Sequence, residues 1–364
     1  MEGRENSRCY SANGRIYCSG KTTRANKGEE LKSLVEGKLV LVTGGTGTIG
    51  SEIVRRLLLL NPHTVRILSN NENELHEFQR ELEGVDQVRF LLGDVRDYAR
   101  LLRALDGVDL VFHCAGLKHV RACEYNPFEA VKTNIIGTQN LVEACVECET
   151  ERVIFTSTDK AANPANTMGA SKLMAEKLIT AANYFKGKRN LTFSSVRFGN
   201  VLSSRGSFPN LAVEQVKKGG PVTITDHRMT RFLLRLSRSV DLVFEAMGRA
   251  VGGEVFILKM NTFKVTDLID VIKEEIGAPD CPVEEIGMLP GEKTYEELMT
   301  TEESLRTLEL EHMFVILPPI RDLEPIGYEY EGAKQYQGAT YNSDEGNHLS
   351  PGEIRSLLKE EGII

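Results

Sequence analysis

Leu39-Val40-Leu41-Val42-Thr43-Gly44-Gly45-Thr46-Gly47-Thr48-Ile49-Gly50 joins an apolar, β-branched run to an amphipathic one through a glycine-rich turn. Gly44, Gly47 and Gly50 stand in the spacing G-x-x-G-x-x-G between a predicted strand, Lys38–Thr43, and a predicted helix, Ile49–Leu60. Glycines at such a junction permit a tight turn, close approach of backbone to a pyrophosphate, and close packing of helix on strand. The helix start then offers unpaired N–H groups and the positive end of its dipole to phosphate oxygens. A glycine triplet alone also marks plain turns. Its place after an apolar strand and before a helix is what predicts a dinucleotide site, built from Gly44, Thr46, Gly47, Thr48, Ile49 and Gly50.

Outward from this turn the chain alternates. Thr64–Leu68, Val88–Leu92, Val108–Cys114, Arg152–Ser157 and Leu191–Phe198 are short apolar runs, with helical patterns at Glu72–Leu82 and Ala130–Val146 among those between them. Such alternation predicts an α/β fold, a Rossmann-type doubly wound parallel sheet covered on both faces, with ligands bound outside the carboxyl ends of its strands. After Phe198 the pieces shorten and Gly and Pro become more frequent, which predicts a smaller C-terminal substrate-binding lobe. The expected division is a flexible extension over 1–36, with one short helix at Glu29–Val35. A dinucleotide-binding domain over 37–200 follows. The substrate lobe covers 201–340, with some strands returning to the sheet, and a tail spans 341–364 with a last helix at Pro351–Glu360.

The bulk composition excludes several functions. A net charge of −8 over 364 residues argues against a nucleic-acid surface. No run approaches the ~20 apolar residues of a membrane helix, and the polar start lacks the core of a signal peptide. The seven cysteines are scattered, and Cys145 and Cys148 fall in an apolar helical run, so they predict a packed helix face and no metal site. A reducing cytoplasm is the expected compartment.

The second strand ends Leu68-Ser69-Asn70-Asn71, with neither an acid for a ribose 2′-hydroxyl nor an Arg for a 2′-phosphate. Ser69 and Asn70 offer hydrogen bonds to either, and NADP is the cofactor expected, with NAD as the alternative. Asp94, in Gly93-Asp94-Val95 after the third strand, is placed to meet the adenine or to cap a helix.

At the end of the fifth strand stand Ser157-Thr158-Asp159-Lys160-Ala161-Ala162-Asn163-Pro164, and further on Met168-Gly169-Ala170-Ser171-Lys172. With the glycine motif, these resemble the extended short-chain dehydrogenases/reductases, and more narrowly the UDP-N-acetylglucosamine 4,6-dehydratases of capsule and flagellin-glycan pathways. The resemblance continues through Ala115-Gly116-Leu117-Lys118, Lys132-Thr133-Asn134, Arg197-Phe198-Gly199-Asn200, Ser204-Arg205-Gly206, Ile224-Thr225-Asp226, Met229-Thr230-Arg231 and Pro290-Gly291-Glu292-Lys293. It spans roughly residues 38 to 350.

The resemblance implies a reaction by internal hydride transfer. Hydride leaves C4 of the sugar for the cofactor, the 4-ketone acidifies C5–H, water leaves from C6, and hydride returns to C6. Lys160 is implied as the base, Asp159 as the acid, and Lys172 as a partner of the nicotinamide ribose. These roles need a neutral Lys and a protonated Asp, which burial favours and each partner's charge opposes, so the pair is expected to titrate as a unit. Most short-chain dehydrogenases have Tyr four residues before the Lys, where this chain has Met168. Met takes no proton, so Thr158 is the candidate relay for the C4 hydroxyl. The resemblance also implies Val95 and Ala115 against the cofactor, and Lys118, Met168, Asn200, Arg205, Thr225, Arg231 and Glu292 against a UDP-N-acetylglucosamine substrate. The two arginines would grip the diphosphate. Leu289 stands where relatives often have an Arg.

Tyr341-Asn342-Ser343-Asp344 is similar to a segment of the inverting dehydratases, which implies inversion at C5. Relatives assemble as dimers or hexamers, so a homo-oligomer is expected. Two other readings are a UDP-sugar 4-epimerase, against which Asp159 and Lys160 count, and a non-catalytic NAD(P)-binding module, suggested by the absent Tyr. A dTDP-glucose 4,6-dehydratase would carry Thr-Asp-Glu where Thr158-Asp159-Lys160 stand.

Overall fold

In the computed structural model, the described residues are 24–202, 207–288, 290–320 and 327–364, with side chains described from Glu29 onward in the first helix. The expected strands form as β1 (Leu39–Thr43), β2 (Thr64–Ser69), β3 (Val88–Leu92), β4 (Leu110–His113), β5 (Arg152–Thr156) and β6 (Thr192–Arg197). All lie parallel in the order β3-β2-β1-β4-β5-β6. The direction of strand addition reverses between β1 and β4, and ligands of such sheets bind at that reversal.

Alternation along the strands explains why both faces are covered. Val40, Val42, Phe112, Ile154 and Val196 point into one core, while Leu41, Val111, Val153, Phe155 and Phe193 point into a second on the opposite face. Ile53, Val54 and Leu57 of the helix Thr48–Leu58 seal the first core, and Leu141, Val142 and Cys145 of the helix Gly137–Glu147 seal the second. Each such fully buried large aliphatic side chain contributes roughly 1.5–3 kcal/mol.

The helix expected over Glu29–Val35 begins earlier, at Arg24. Val35 is fully buried and Leu31 and Leu34 pack on the first core. The end of the expected flexible extension therefore belongs to the fold, and residues 1–23 lie outside the described residues.

The chain beyond β6 does return strands to the sheet. Val255–Leu258 adds parallel to β6, followed antiparallel by Met313–Ile316, Thr307–Glu309 and Lys334–Gln335, giving ten strands among the described residues. The remaining lobe has its own core around Val213, Val222, Leu268 and Ile272. The last segment is part of that lobe: Ile354 and Leu358 of the helix Pro351–Glu360 are fully buried in its core, and Ser350 and Glu353 form a capping box at the helix start. Tyr341–Asn342 pairs antiparallel with Glu297–Met299.

Candidate active site

The glycine turn packs so closely on the protein's own backbone that side chains there would not fit. Gly44 has φ of +63°, and a Cβ on it would lie 2.7 Å from the Ala115 nitrogen. A Cβ on Gly50 would collide with the Gly44 carbonyl oxygen. Gly47 caps the helix Thr48–Leu58 without a side-chain hydrogen bond, and the first turn holds no acid. The N–H groups of Thr48 and Ile49 thus face the end of the sheet with the helix dipole behind them. An uncapped helix start without an acid suits the charge of a pyrophosphate.

Around it, Thr46 Oγ1 lies 2.9 Å from Ser69 Oγ and donates to Glu74 Oε2 at 2.8 Å. A carboxylate, absent from the end of β2, thus stands beside the turn on the following helix, Glu72–Glu81, outside the expected spacing. Asn70 Nδ2 donates to Asp94 Oδ2 at 3.2 Å, and Arg96 Nη2 donates to the same oxygen at 2.7 Å. Burial pushes the Asp94 carboxyl up, but bonds from Arg96 outweigh it and hold it below the usual range. Asp97, not Asp94, caps the helix Tyr98–Leu105. Val95 is buried against Gly137, and the Ala115 N–H donates to Thr43 Oγ1 at 3.3 Å.

On the other side of the switch point, Lys172 Nζ donates to the Thr156 carbonyl at 3.2 Å and lies 4.6 Å from the Phe155 ring centroid. Burial draws its ammonium down to about 8. Beside it a π-helical turn, Val131–Ile136, presents Asn134. The Asn134 amide donates to Ser171 Oγ at 2.9 Å and accepts from the Leu117 N–H at 2.7 Å. π-Turns often mark functional sites, and only the quoted Lys132-Thr133-Asn134 signalled this one.

The end of β5 turns sharply. Thr158 caps a one-turn 3₁₀ helix, Asp159–Ala161. This turn lies so close to the helix Thr167–Phe185 that a side chain on Gly169 would strike the Lys160 carbonyl. Thr158 Oγ1 donates to Asp159 Oδ1 at 2.7 Å, and Lys160 Nζ donates to Asp159 Oδ2 at 2.9 Å and Oδ1 at 3.2 Å. Met168, expected at the substrate, is buried instead in a small apolar cluster with Cys123 and Ala130.

A residue that sequence reasoning missed completes this group. Glu296 Oε1 lies 3.4 Å from Lys160 Nζ and 3.4 Å from Arg231 Nε, and it accepts from Asn200 Nδ2 at 2.8 Å. The Phe232 N–H donates to Oε2 at 3.3 Å. Burial and the Asp159 charge push the Glu296 carboxyl above its usual value. Asp159 is pushed up by burial but pulled further down by the Lys160 charge and by its hydrogen bonds. Burial lowers Lys160, while the two carboxylates more than restore it, so its ammonium is held above the ordinary value. Of the two opposing influences expected on a neutral Lys160 and a protonated Asp159, the partners' charges prevail over burial. The facing carboxylates outweigh desolvation, and it is Glu296 that is driven toward the protonated form.

Of the other expected substrate contacts, Arg231 spends its donors on the carbonyls of Thr230, Lys293 and Thr294. Its charge faces the site, while its fork is engaged in holding the 293–294 loop. Glu292 Oε2 is buried without a hydrogen-bond partner, an acceptor open to a ligand hydroxyl. Lys118 is exposed just past β4, and Thr225 donates to Met229 Sδ at 3.0 Å. Arg205 and Leu289 lie outside the described residues.

Beneath the site, Arg197 is fully buried between two acids. It bonds Glu176 at 3.1 and 2.6 Å, Glu303 twice at 3.0 Å, and the Leu298 carbonyl at 2.7 Å. It therefore ties the helix of Lys172 to the strand that carries Glu297 and Leu298. Among the described residues no group of acids, His and Cys is arranged to hold a metal ion, and no helix is long and apolar enough to cross a membrane.

A protein of Methanocaldococcus jannaschii described as an uncharacterized membrane protein is 50% identical over 91% of this chain and 98% of its own length. A UDP-N-acetylglucosamine 4,6-dehydratase (inverting) of Campylobacter jejuni is 38% identical, covering 85% of this chain and 94% of its own. A UDP-glucose 4-epimerase of Rickettsia felis is 36% identical, covering 88% and 95%. Among solved structures, Pen from Bacillus thuringiensis superposes with a TM-score of 0.85 at 45% identity, over 90% of this chain and 99% of that one. The family described as polysaccharide biosynthesis protein matches residues 40–318. The chain belongs to this polysaccharide biosynthesis family, as an enzyme of the extended short-chain dehydrogenase/reductase type.

Proposed function

We propose that the chain is a hydro-lyase that dehydrates UDP-N-acetylglucosamine at carbons 4 and 6, with inversion at C5. The product is a UDP-2-acetamido-2,6-dideoxy-4-hexulose. The observation that carries this reading is the Thr158-Asp159-Lys160 turn, a hydroxyl, a carboxylate and an amine hydrogen-bonded together at the carboxyl end of β5. Removal of a proton from C5 with loss of oxygen from C6 needs a base and an acid side by side, and this turn holds both.

Gly44, Thr46, Gly47, Thr48, Ile49, Gly50, Val95, Ala115 and Lys172 would hold a nicotinamide dinucleotide, which would supply a hydride acceptor for C4 and a donor for C6. The protein's part is proton traffic. Thr158 takes the C4 hydroxyl proton as its own passes to Asp159. The C5–H electron pair forms the C5–C6 double bond while Lys160 receives the proton. Asp159 gives its proton to the C6 oxygen, which leaves as water, and Lys160 returns a proton to C5. The C4 hydroxyl proton thus ends in the departing water, and each group is restored.

NADP is the inferred cofactor, received by Ser69 and Asn70, with NAD the alternative that the Glu74 carboxylate favours. Glu292, with its unpartnered oxygen, suits a ribose hydroxyl, and Lys118, Asn200, Arg205, Thr225 and Arg231 are proposed around the rest of the nucleotide sugar, as part of a cytoplasmic homo-oligomer. Inversion rests on the Tyr341-Asn342-Ser343 segment, where Ser343 Oγ accepts from the Glu296 N–H at 2.9 Å. The relatives named as epimerases give the second reading, a UDP-sugar 4-epimerase. Mass spectrometry of the product separates the two. Loss of one water without lasting change in nicotinamide absorbance is the expected result, and an isomer of unchanged mass would establish epimerisation.

A further inference from the structure

Lys160 is required as an amine, yet its ion pairs with Asp159 at 2.9 Å and Glu296 at 3.4 Å favour the ammonium. Something must take its proton, and Asp159 is the wrong place for it, because Asp159 has to be free to receive the proton that Thr158 passes on. The remaining acceptor within reach is Glu296. The side chains of Asp159 and Glu296 are 2% and 8% exposed and that of Lys160 is 30% exposed, with Glu296 Oε1 3.4 Å from Lys160 Nζ.

We propose that Glu296 takes the proton of Lys160 and keeps it through the turnover, leaving Lys160 a free amine and Asp159 a free carboxylate. Glu296 acts through Lys160 and is a positioning residue; the inference rests on the dehydratase reading and extends it. The balance is simple. One N–H bond of Lys160 breaks, one O–H bond of Glu296 forms, and the pair passes from ammonium and carboxylate to amine and carboxylic acid. The net charge of the site is unchanged.

The groups facing Glu296 support this direction. From the 3₁₀ turn come the Asp159 carboxylate and Lys160; from the strand Thr230–Leu233 come Arg231 and the Phe232 N–H; from the end of β6 comes the Asn200 amide. Asp159 is held more closely than Glu296 by the 3₁₀ turn, at 2.7 Å from the Thr158 hydroxyl and 2.9 Å from Lys160 against 3.4 Å from Lys160 to Glu296, and an amine still donates those N–H bonds, so of the two carboxylates Asp159 is the one that stays ionised. Two carboxylates in one dry space do not both keep their charge easily, and burial already pushes Glu296 toward the acid. A bound substrate that excludes more water favours the neutral amine and acid over an ion pair. With Glu296 protonated, Asp159 and Arg231 still balance one another.

The decisive variant is Glu296→Gln, which keeps the shape and takes no proton. It is expected to retain cofactor and melting temperature, and to reduce the nicotinamide on adding substrate, yet to lower kcat for elimination roughly 100-fold at neutral pH. Its rate should then climb with pH as Lys160 loses its proton to solvent, while wild type stays flat over that range. A wild-type rate and profile in Glu296→Gln would overturn the proposal, as would equal losses of nicotinamide reduction and elimination, which mark a structural role. Infrared difference spectra of wild type minus Glu296→Gln, with UDP bound, test the proton directly. A protonated-carboxyl band supports the assignment and its absence overturns it. That band needs no turnover, so it separates failure of this inference from failure of the dehydratase reading, which shows as no loss of water by the wild type.

Discussion

Thr158 Oγ1 donates to Asp159 Oδ1 at 2.7 Å and accepts from the Lys160 N–H at 3.4 Å, so its hydroxyl hydrogen is committed and one oxygen lone pair is left to accept from a substrate. This one bond gives the Thr hydroxyl a direction. A proton arriving at Thr158 displaces one toward Asp159, which is the sense required when a C4 hydroxyl is oxidised. Met168, where relatives of the wider superfamily have Tyr, is buried among Cys123, Ala130 and Val120 and takes no part in this chain of bonds.

Thr158→Val is therefore expected to slow C4 oxidation about 100-fold or more, because the isosteric methyl neither accepts nor passes a proton. Met168→Leu conserves volume and is expected to change the rate less than about threefold and stability by less than about 1.5 kcal/mol. Single-turnover nicotinamide reduction measures both. Equal rates in the two variants would reject the relay.

Arg197 is the structural counterpart of this turn. Its removal as Arg197→Met leaves Glu176 and Glu303 buried without a cation, which is expected to cost roughly 3–5 kcal/mol in urea unfolding. Burial pushes the Glu303 carboxyl up, but the Arg197 charge and bonds outweigh it and hold it down to about 2. A depressed acid stabilises the fold above its unfolded value and loses that contribution as pH falls toward 2. Arg197→Met should therefore lose most of its deficit to wild type in acid. Adding Glu176→Gln and Glu303→Gln should also restore much of the lost stability at neutral pH, and a deficit unaffected by either change would contradict the account.

Lys172 gives a dependence of the same sign in a higher pH window. Burial lowers it from 10.5 to about 8, so between those values the unfolded chain binds a proton that the folded chain does not. Stability contributed by this group therefore rises with pH across that window, by up to roughly 3 kcal/mol. Comparing wild type with Lys172→Met isolates it from the thiols that titrate nearby. The difference in unfolding free energy between the two should shift in favour of wild type from pH 8 to 10.5, and a constant difference would show that Lys172 is not desolvated in solution.

Much of this was readable before any coordinates. β1 to β6 announce themselves because each is a compact apolar run bounded by polar turns, and the glycine spacing locates the reversal between β1 and β4. Val255–Leu258 and Met313–Ile316 were harder, since four apolar residues between loops carry no period, and only pairing with β6 shows that they extend the sheet. Arg197 stands in a motif that does not mark it as a buried cation, because its acids are 21 and 106 residues away. Glu296 was overlooked for a similar reason. Thr294-Tyr295-Glu296-Glu297 reads as a polar surface turn, and its one usable signal is that it runs straight into the apolar Leu298-Met299. Glu74 escapes a search of the strand end because it stands on the helix that follows, where it accepts from Thr46.

Lys160→Ala probes the base itself. It is expected to retain cofactor and to allow C4 oxidation, but to lose C5 exchange and lower turnover by roughly 100- to 10,000-fold. Normal turnover in this variant would remove Lys160 from the reaction.

The most direct measurement is proton NMR of the purified enzyme with UDP-N-acetylglucosamine in deuterated water. A new C6 methyl signal, deuterium at C5 and ring couplings of the inverted sugar are the predicted result. An unchanged spectrum with cofactor confirmed bound, or a 4-epimer with its C6 oxygen retained, would contradict the dehydratase account.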